Sequence, residues 1–287
     1  WWQHGDKRPK LYESIKKSEN VMVTCRVATN FSIALIPSKC VFSDSLTIFS
    51  LKESYFAILQ STLHEDWARL FGSSLGDGMR YTHTSCLETF PFPKQLNGQH
   101  QMDEISTEYL SFRRKIMLDH KEGLTQIYNR FNNPNETSHE IFKFRTLHEK
   151  MNKEVLRAYG WEDISFEFGF MLDYLEIDNS LEIPQETKEK IDKGELFFID
   201  INDAKDFDRD LKMHVKSKKK LTWRFRWSNN VRDQILGRLI KLNEDYFIDE
   251  IEQNKLPGDK LLKILQDNGQ SKIQIKESND VDQLSFD

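Results

Sequence analysis

A change of hydrophobic period near residue 52 constrains this chain more than any other feature. Before it, "VMVTCRVA", "FSIALIP" and "CVFSDSLTIFSL" fill residues 21–51 and are separated by Thr29-Asn30 and Pro37-Ser38-Lys39. Runs dominated by Val, Ile, Phe and Thr between turn formers predict half-buried β-strands. After it, Phe56, Leu59, Leu63, Trp67 and Leu70 advance by three or four residues. That spacing predicts one helix with a single buried stripe, starting near Ser54, a good N-cap residue. "GSSLGDG" (72–78) carries three glycines, which predicts the end of that helix and a loop. The loop runs into "MRYTHTSCLETFPFP" (79–93), where an arginine and several hydroxyls precede Phe90, Pro91, Phe92 and Pro93.

Beyond Pro93 the pattern becomes helical. "KQLNGQHQMD" predicts a polar connector, and a helix is expected from about Ser106 to Lys121. Thr137 and Glu140 have capping-box spacing ahead of a stripe of Ile141, Phe144, Leu147, Met151 and Val155, so a helix should start there. Gly160 in "AYGW" is placed to cap its end. A further helix is expected from Ser228 to about Glu252, and the polar tail after Asp267 reads as frayed. The fold class expected is α+β, a small α/β module (1–95) followed by a mainly helical one (96–267) and a flexible tail (268–287).

Charge and cysteine usage narrow the function. The net charge of -5 over 287 residues argues against wholesale coating of nucleic acid. Residues 1–94 nevertheless hold 11 Lys+Arg against 9 Asp+Glu, so the first third is slightly positive. Cys25, Cys40 and Cys86 are odd in number and lack CxxC spacing, which points away from a disulfide framework or a zinc site and toward a reducing cytoplasm. No apolar run approaches a bilayer span of ~20 residues. The opening "WWQHGDKRPK" has neither an initiating Met nor a signal peptide, giving the expectation of a fragment cut from a longer protein.

No Walker A sequence, HExxH, GxSxG or Gly-rich nucleotide turn occurs. "FEFGF" (166–170) and "NNPN" (132–135) read as turns, and Asp206, Asp208 and Asp210 as solvated surface. Of His64, His83 and His148, only His83 has a setting that suggests a ligand. "KMHVKSKKKLTWRFRW" (212–227) carries seven Lys+Arg and no acid. Its Trp223, Phe225 and Trp227 alternate with Arg224 and Arg226, the period of a strand. Two readings stay open there: a basic ribbon that neutralises phosphates, or a solvated turn leading into a strand with core aromatics.

The order of these phrases carries a resemblance. "AILQSTLHEDWARLFGSSLGDGMRYTHTSCLETFPFP" resembles the end of the target-recognition domain in single-chain DNA methyltransferases and fused restriction–modification enzymes of the MmeI-like (type IIL, type IIG) group. "GLTQIYNRFNNP", "LHEKMNKEVLRAYGWEDI" and "LGRLIKLN" are similar to the helical regions that follow recognition in that group. The resemblance spreads over roughly residues 1–250. It implies a parent enzyme that transfers a methyl group from S-adenosylmethionine to the N6 amino group of an adenine flipped out of double-stranded DNA. The family's cofactor loop and its Asn-Pro-Pro-(Tyr/Phe) motif are absent here and lie upstream in the family. The fragment itself is therefore expected to hold no cofactor and no catalytic residue, and to partner an upstream methyltransferase domain of the same polypeptide. No endonuclease motif is visible.

In such domains the strand region and the variable loop read bases. Carried over, the candidates are Ser43 and Asp44 in "VFSDSL", and Asp77 and Arg80 in the loop. Arginine can grip guanine O6 and N7 with two bonds, and aspartate can accept from a cytosine amino group. Thr82, His83 and Arg26 are candidates beside them, and Lys218, Lys219, Lys220, Arg224 and Arg226 are the candidates for phosphate contact. Phe90, Pro91, Phe92 and Pro93 are expected to pack the base of the loop against the helix carrying Trp67. The rival reading is a helical protein-interaction scaffold that binds no DNA.

Overall fold

Alternation along one strand builds the first sheet. β1 (Asn20–Cys25) turns Val21 and Val23 to one face, against Ile15 of α1 (Pro9–Ile15), and buries Met22 and Thr24 on the other. It is central, pairing antiparallel with β3 (Ala34–Pro37) on one side and β4 (Leu46–Phe49) on the other. This computed structural model describes residues 8–75, 78–94, 99–174, 185–193, 195–214 and 222–252. The fold is α+β, as expected.

Two strand predictions change in detail. "VMVTCRVA" is not one strand, because the chain leaves the sheet at Arg26 and β2 (Val27–Ala28) joins a second sheet. Of "CVFSDSLTIFSL" only Leu46–Phe49 is strand, and Asp44 lies in the turn before β4.

The expected single helix is two. After a 3-10 turn at Glu53–Tyr55, α2 (Phe56–Gln60) stops at Ser61, whose ψ of 156° is extended, and α3 (Thr62–Phe71) begins again. The break is satisfied locally: Ser61 Oγ donates to the Ile58 carbonyl (2.6 Å) and accepts from the His64 amide (3.2 Å). The Thr62 amide donates to Asn152 Oδ1 (2.9 Å), which supplies the partner a continuous helix would have provided. Phe56, Leu59, Leu63 and Trp67 are buried as the stripe requires, while Leu70 is half exposed.

"GSSLGDG" is largely strand rather than loop. β5 (Ser73–Leu75) and β6 (Gly78–Arg80) pair antiparallel, and β6 also pairs with β2, giving the order β2-β6-β5. A π-helical turn, His83–Leu87, follows. Phe90 then packs edge-on against His64 (4.4 Å) and Trp67 (6.0 Å), and Phe92 against Tyr55 (5.3 Å). Trp67 Nε1 donates to Thr89 Oγ1 (3.3 Å). The Phe-Pro segment thus has the packing role expected of it.

The helical region holds α4 (Gln99–His120), α5 (Leu124–Phe131) and α6 (His139–Ala158). α4 starts inside the segment expected to be a connector. Ser138, not Thr137, caps α6, its Oγ accepting from the Ile141 amide (3.5 Å). All five predicted stripe residues of α6 are buried. Gly160 takes the left-handed conformation (φ 71°), and the bonds Trp161 N to Leu156 O and Gly160 N to Arg157 O complete a Schellman ending. Arg145 lies buried within this layer and donates to the carbonyls of Phe131, Glu136, Arg130 and Asn133.

The third sheet is built from β7 (Phe168–Tyr174), β8 (Phe197–Phe198) and β9 (Thr222–Trp227), in the order β8-β7-β9. The last three residues of "FEFGF" are therefore strand, not turn. Gly169 belongs there because a Cβ would stand 2.4 Å from the Phe198 carbonyl oxygen on β8. Between these strands lie α7 (Gln185–Asp192) and α8 (Ile201–His214). Asp208 is not solvated: it is 2% exposed and accepts from Trp223 Nε1 (2.9 Å) and Asn135 Nδ2 (2.6 Å). α9 (Asn229–Glu252) closes the described chain, so the tail after Asp267 lies outside the described residues. The chain divides into two compact units, 1–237 and 238–287, the described part of the second being residues 238–252 of α9. Among the described residues no helix is long and apolar enough to cross a membrane.

Candidate nucleic-acid interface

Strand alternation places the first functional side chain. On β6 and just past it, Met79 points inward (6% exposed), Arg80 outward, and Tyr81 inward (2% exposed). Tyr81 is pinned by a 3.0 Å hydrogen bond between its hydroxyl and His64 Nε2, and by ring contacts with Phe31 and Phe49. That anchor fixes the side to which Arg80 turns. Arg80 is exposed at the end of the central strand β6, with no ion-pair partner among the described residues.

Pairing then brings Arg26 beside it. Val27 of β2 faces Arg80 across the sheet, and the Tyr81 amide donates to the Arg26 carbonyl (2.7 Å). The N-cap and first turn of α1 contribute Arg8 and Lys10, β4 contributes Thr47, and the turn after β6 contributes Thr82, His83 and Thr84. Together they line a groove of about 690 Å³. Four Lys/Arg side chains and three hydroxyls around one open depression make an anion-binding surface.

One carboxylate sits among those cations. Asp44 pairs with Arg8 and, at 3.0 Å, with Arg26. The hydrogen bond from Arg8 and the charge of Arg26 hold its carboxyl below the usual range. Arg8 itself is in the left-handed region (φ 42°), uncommon for a residue with a side chain. His83 is exposed and lies 3.2 Å from Glu88. Elsewhere burial governs ionisation: His64 is pushed down to about 3 and His148 to about 4.

The groove collects Arg26, Arg80, Thr82 and His83 from the predicted residues, and Asp44 joins through its ion pairs. Ser43 does not line it; its hydroxyl bonds Ser45 Oγ (2.9 Å) within the turn before β4. Asp77 and Lys218, Lys219 and Lys220 lie outside the described residues. The phosphate ribbon expected of Arg224 and Arg226 needs correction. They are 5% and 8% exposed, because both faces of β9 are covered. Arg224 Nη2 donates to the Thr29 carbonyl (2.9 Å), and Arg226 Nη2 to Asn229 Oδ1 (2.7 Å), with Asp66 3.9 Å away. Arg8, Lys10 and Thr47 were missed. The only signal for the first two was the basic run "DKRPK", in which Pro9 starts a helix.

Among the described residues no cluster of His, Cys, Asp and Glu could hold a metal ion. Residues 3–94 match the MmeI target recognition domain. Of solved structures, the type IIL restriction–modification enzyme MmeI in complex with DNA is similar at 21% identity, covering 50% of this chain and 19% of that one, with a TM-score of 0.43. The chain thus spans less than a fifth of that enzyme. No curated protein matches it. The whole basic groove, from Arg8 to Thr84, falls inside the segment that matches the MmeI domain.

Proposed function

We propose that residues 3–94 are the DNA sequence-recognition module of a restriction–modification enzyme, and that the groove carrying Arg80 is the surface that meets the duplex. The carrying observation is that Arg80, Arg26, Arg8 and Lys10 converge on one open groove within the segment matching the MmeI target recognition domain. Arg80 is the base reader, because its exposed side chain stands at the end of a strand paired on both sides, with the anchored Tyr81 beside it. Arg26, Arg8 and Lys10 serve phosphates and set register.

The finer reading rests on the family resemblance of the sequence. The parent polypeptide is proposed to carry an upstream methyltransferase domain that uses S-adenosylmethionine to methylate adenine at N6, with this chain choosing the site. A base flipped for chemistry is bound by the catalytic domain, so the recognition module needs only to hold the flanking duplex.

A mobility-shift titration of the 287-residue chain with duplex DNA at low salt tests the first proposal. Engagement of three or four phosphates predicts a log–log salt slope of about -3 to -4. Absence of any shift would overturn it in favour of a scaffold. Methylation by the full-length parent, with the product base identified by mass spectrometry, tests the second; a cytosine product would overturn it.

A further inference from the structure

The two residues that follow β2 are held by side chains from far along the chain. The Thr29 carbonyl accepts from Arg224 Nη2 of β9 (2.9 Å) and Arg69 Nη2 of α3 (3.3 Å). Asn30 Nδ2 donates to Asn129 Oδ1 on α5 (2.8 Å), and Asn30 Oδ1 accepts from Asn132 Nδ2 (2.9 Å). Asn132 Oδ1 in turn accepts from the Phe225 amide of β9 (2.9 Å), so one asparagine bridges the segment to that strand. Glu65 lies between the two guanidiniums, 2.7 Å from Arg69 and 3.7 Å from Arg224. Burial pushes its carboxyl up, but the two arginines outweigh burial and hold it below the usual range.

The other end of the same segment is the reading edge. From Thr29 the chain runs back through Ala28 and Val27, which pair with Met79 and Arg80, to Arg26, whose carbonyl takes the Tyr81 amide. Three extended residues cover about 10 Å. Thr29 and Val27 are exposed, so β2 has little packing of its own and takes its position from β6 and from the bonds at residues 29 and 30. A two-residue edge strand held at both ends moves when one end is released.

We propose that Arg224, with Asn132 beside it, is a positioning residue for DNA recognition: β9 grips Thr29–Asn30 and thereby sets where Arg26 and Arg80 stand in the groove. The segment singled out as a phosphate ribbon thus acts from behind the groove, without touching DNA. The inference rests on the proposed recognition role for its functional meaning, while the mechanical link stands on the bonds alone.

Amide hydrogen exchange and duplex binding of the 287-residue chain test it, using Arg224→Gln, Arg224→Lys and Asn30→Ala. Asn30 is half-exposed, so Asn30→Ala releases the grip without emptying a buried site. Arg224→Gln and Asn30→Ala should speed exchange at Ala28, Met79 and Tyr81 by about tenfold or more relative to the β1 amides. Duplex affinity should fall several-fold with the salt slope unchanged, because phosphate contacts are still made. Arg224→Lys, which keeps one donor for the Thr29 carbonyl, should recover part of both effects. Exchange at β2 and β6 unchanged in Asn30→Ala, or raised equally in β1 and α6, would overturn the proposal. If the wild-type chain binds no duplex, the recognition role fails, and the exchange comparison still decides the mechanical link.

Discussion

Asp44→Asn removes the carboxylate that faces the groove cations and keeps the size of the side chain. In the free protein Asp44 pairs with both Arg8 and Arg26. Its side chain is 69% exposed and the two guanidiniums are 36% and 51% exposed, so the pairs are solvated and easily exchanged for another anion. A DNA phosphate approaching the groove must compete with that carboxylate. Removing it frees about one unit of positive charge, equivalent to one more neutralised phosphate, and should steepen the log–log salt slope by about 0.9. From about 50 mM to about 200 mM salt the variant's affinity should then fall about threefold more than that of the wild type. At about 0.1 M salt its affinity should exceed the wild-type value by up to about eightfold. Fluorescence anisotropy with a labelled random-sequence duplex measures both quantities. Weaker binding with an unchanged slope would refute this reasoning, and a loss confined to one base position across a panel of single-substitution duplexes would make Asp44 an acceptor for a cytosine amino group.

Other outcomes follow from single residues. Arg80→Ala should cost about 1–3 kcal/mol at one base position and leave the other positions alone, as read by the sequence preference of the full-length parent. Arg145→Met should destabilise the fold by roughly 3–5 kcal/mol in urea denaturation, because four carbonyls, one buried and three half-buried, lose a charged donor. The buried histidines make stability depend on pH. His64 and His148 have folded values of about 3 and 4, below the ordinary value, so as pH falls through ~6.5 the unfolded chain takes up protons that the folded chain refuses, and stability is lost. Asp66, pushed up to about 6 by burial, acts in the opposite sense: stability falls as pH rises through the window up to that value. His148→Gln should therefore flatten the rise of stability between pH ~4.5 and ~6 by about 1 kcal/mol per pH unit; an unchanged slope would contradict its burial as the neutral ring.

What the sequence could and could not disclose follows from the range of each interaction. The α6 stripe and the Gly160 ending are local patterns, and both are present as read. The break at Ser61 was hidden because the group that satisfies it, Asn152, is 90 residues away. "GSSLGDG" and "FEFGF" look like turns by glycine content, yet the first opens a local hairpin whose second strand gains β2 as a partner only in the fold, and the end of the second pairs with β9, far along the chain. In the groove, Arg80, Arg26, Thr82 and His83 were legible from the motif and the family resemblance, whereas Arg8 and Lys10 needed the packing of α1 on the first sheet. Arg224 and Arg226 were misread for a related reason. Alternation established that they share a face of β9, but not that Glu65, Asp66 and the Thr29 carbonyl would cover it.

The most direct test compares duplex binding by wild type, Arg26→Ser/Arg80→Ser and Lys150→Ser/Lys153→Ser at low salt. The two variants remove equal charge, the second from exposed positions on α6 away from the groove. The account predicts that the groove variant loses most of its affinity and has a shallower salt slope, while the α6 variant binds like the wild type. Equal losses in both variants, or none in the groove variant, would contradict it.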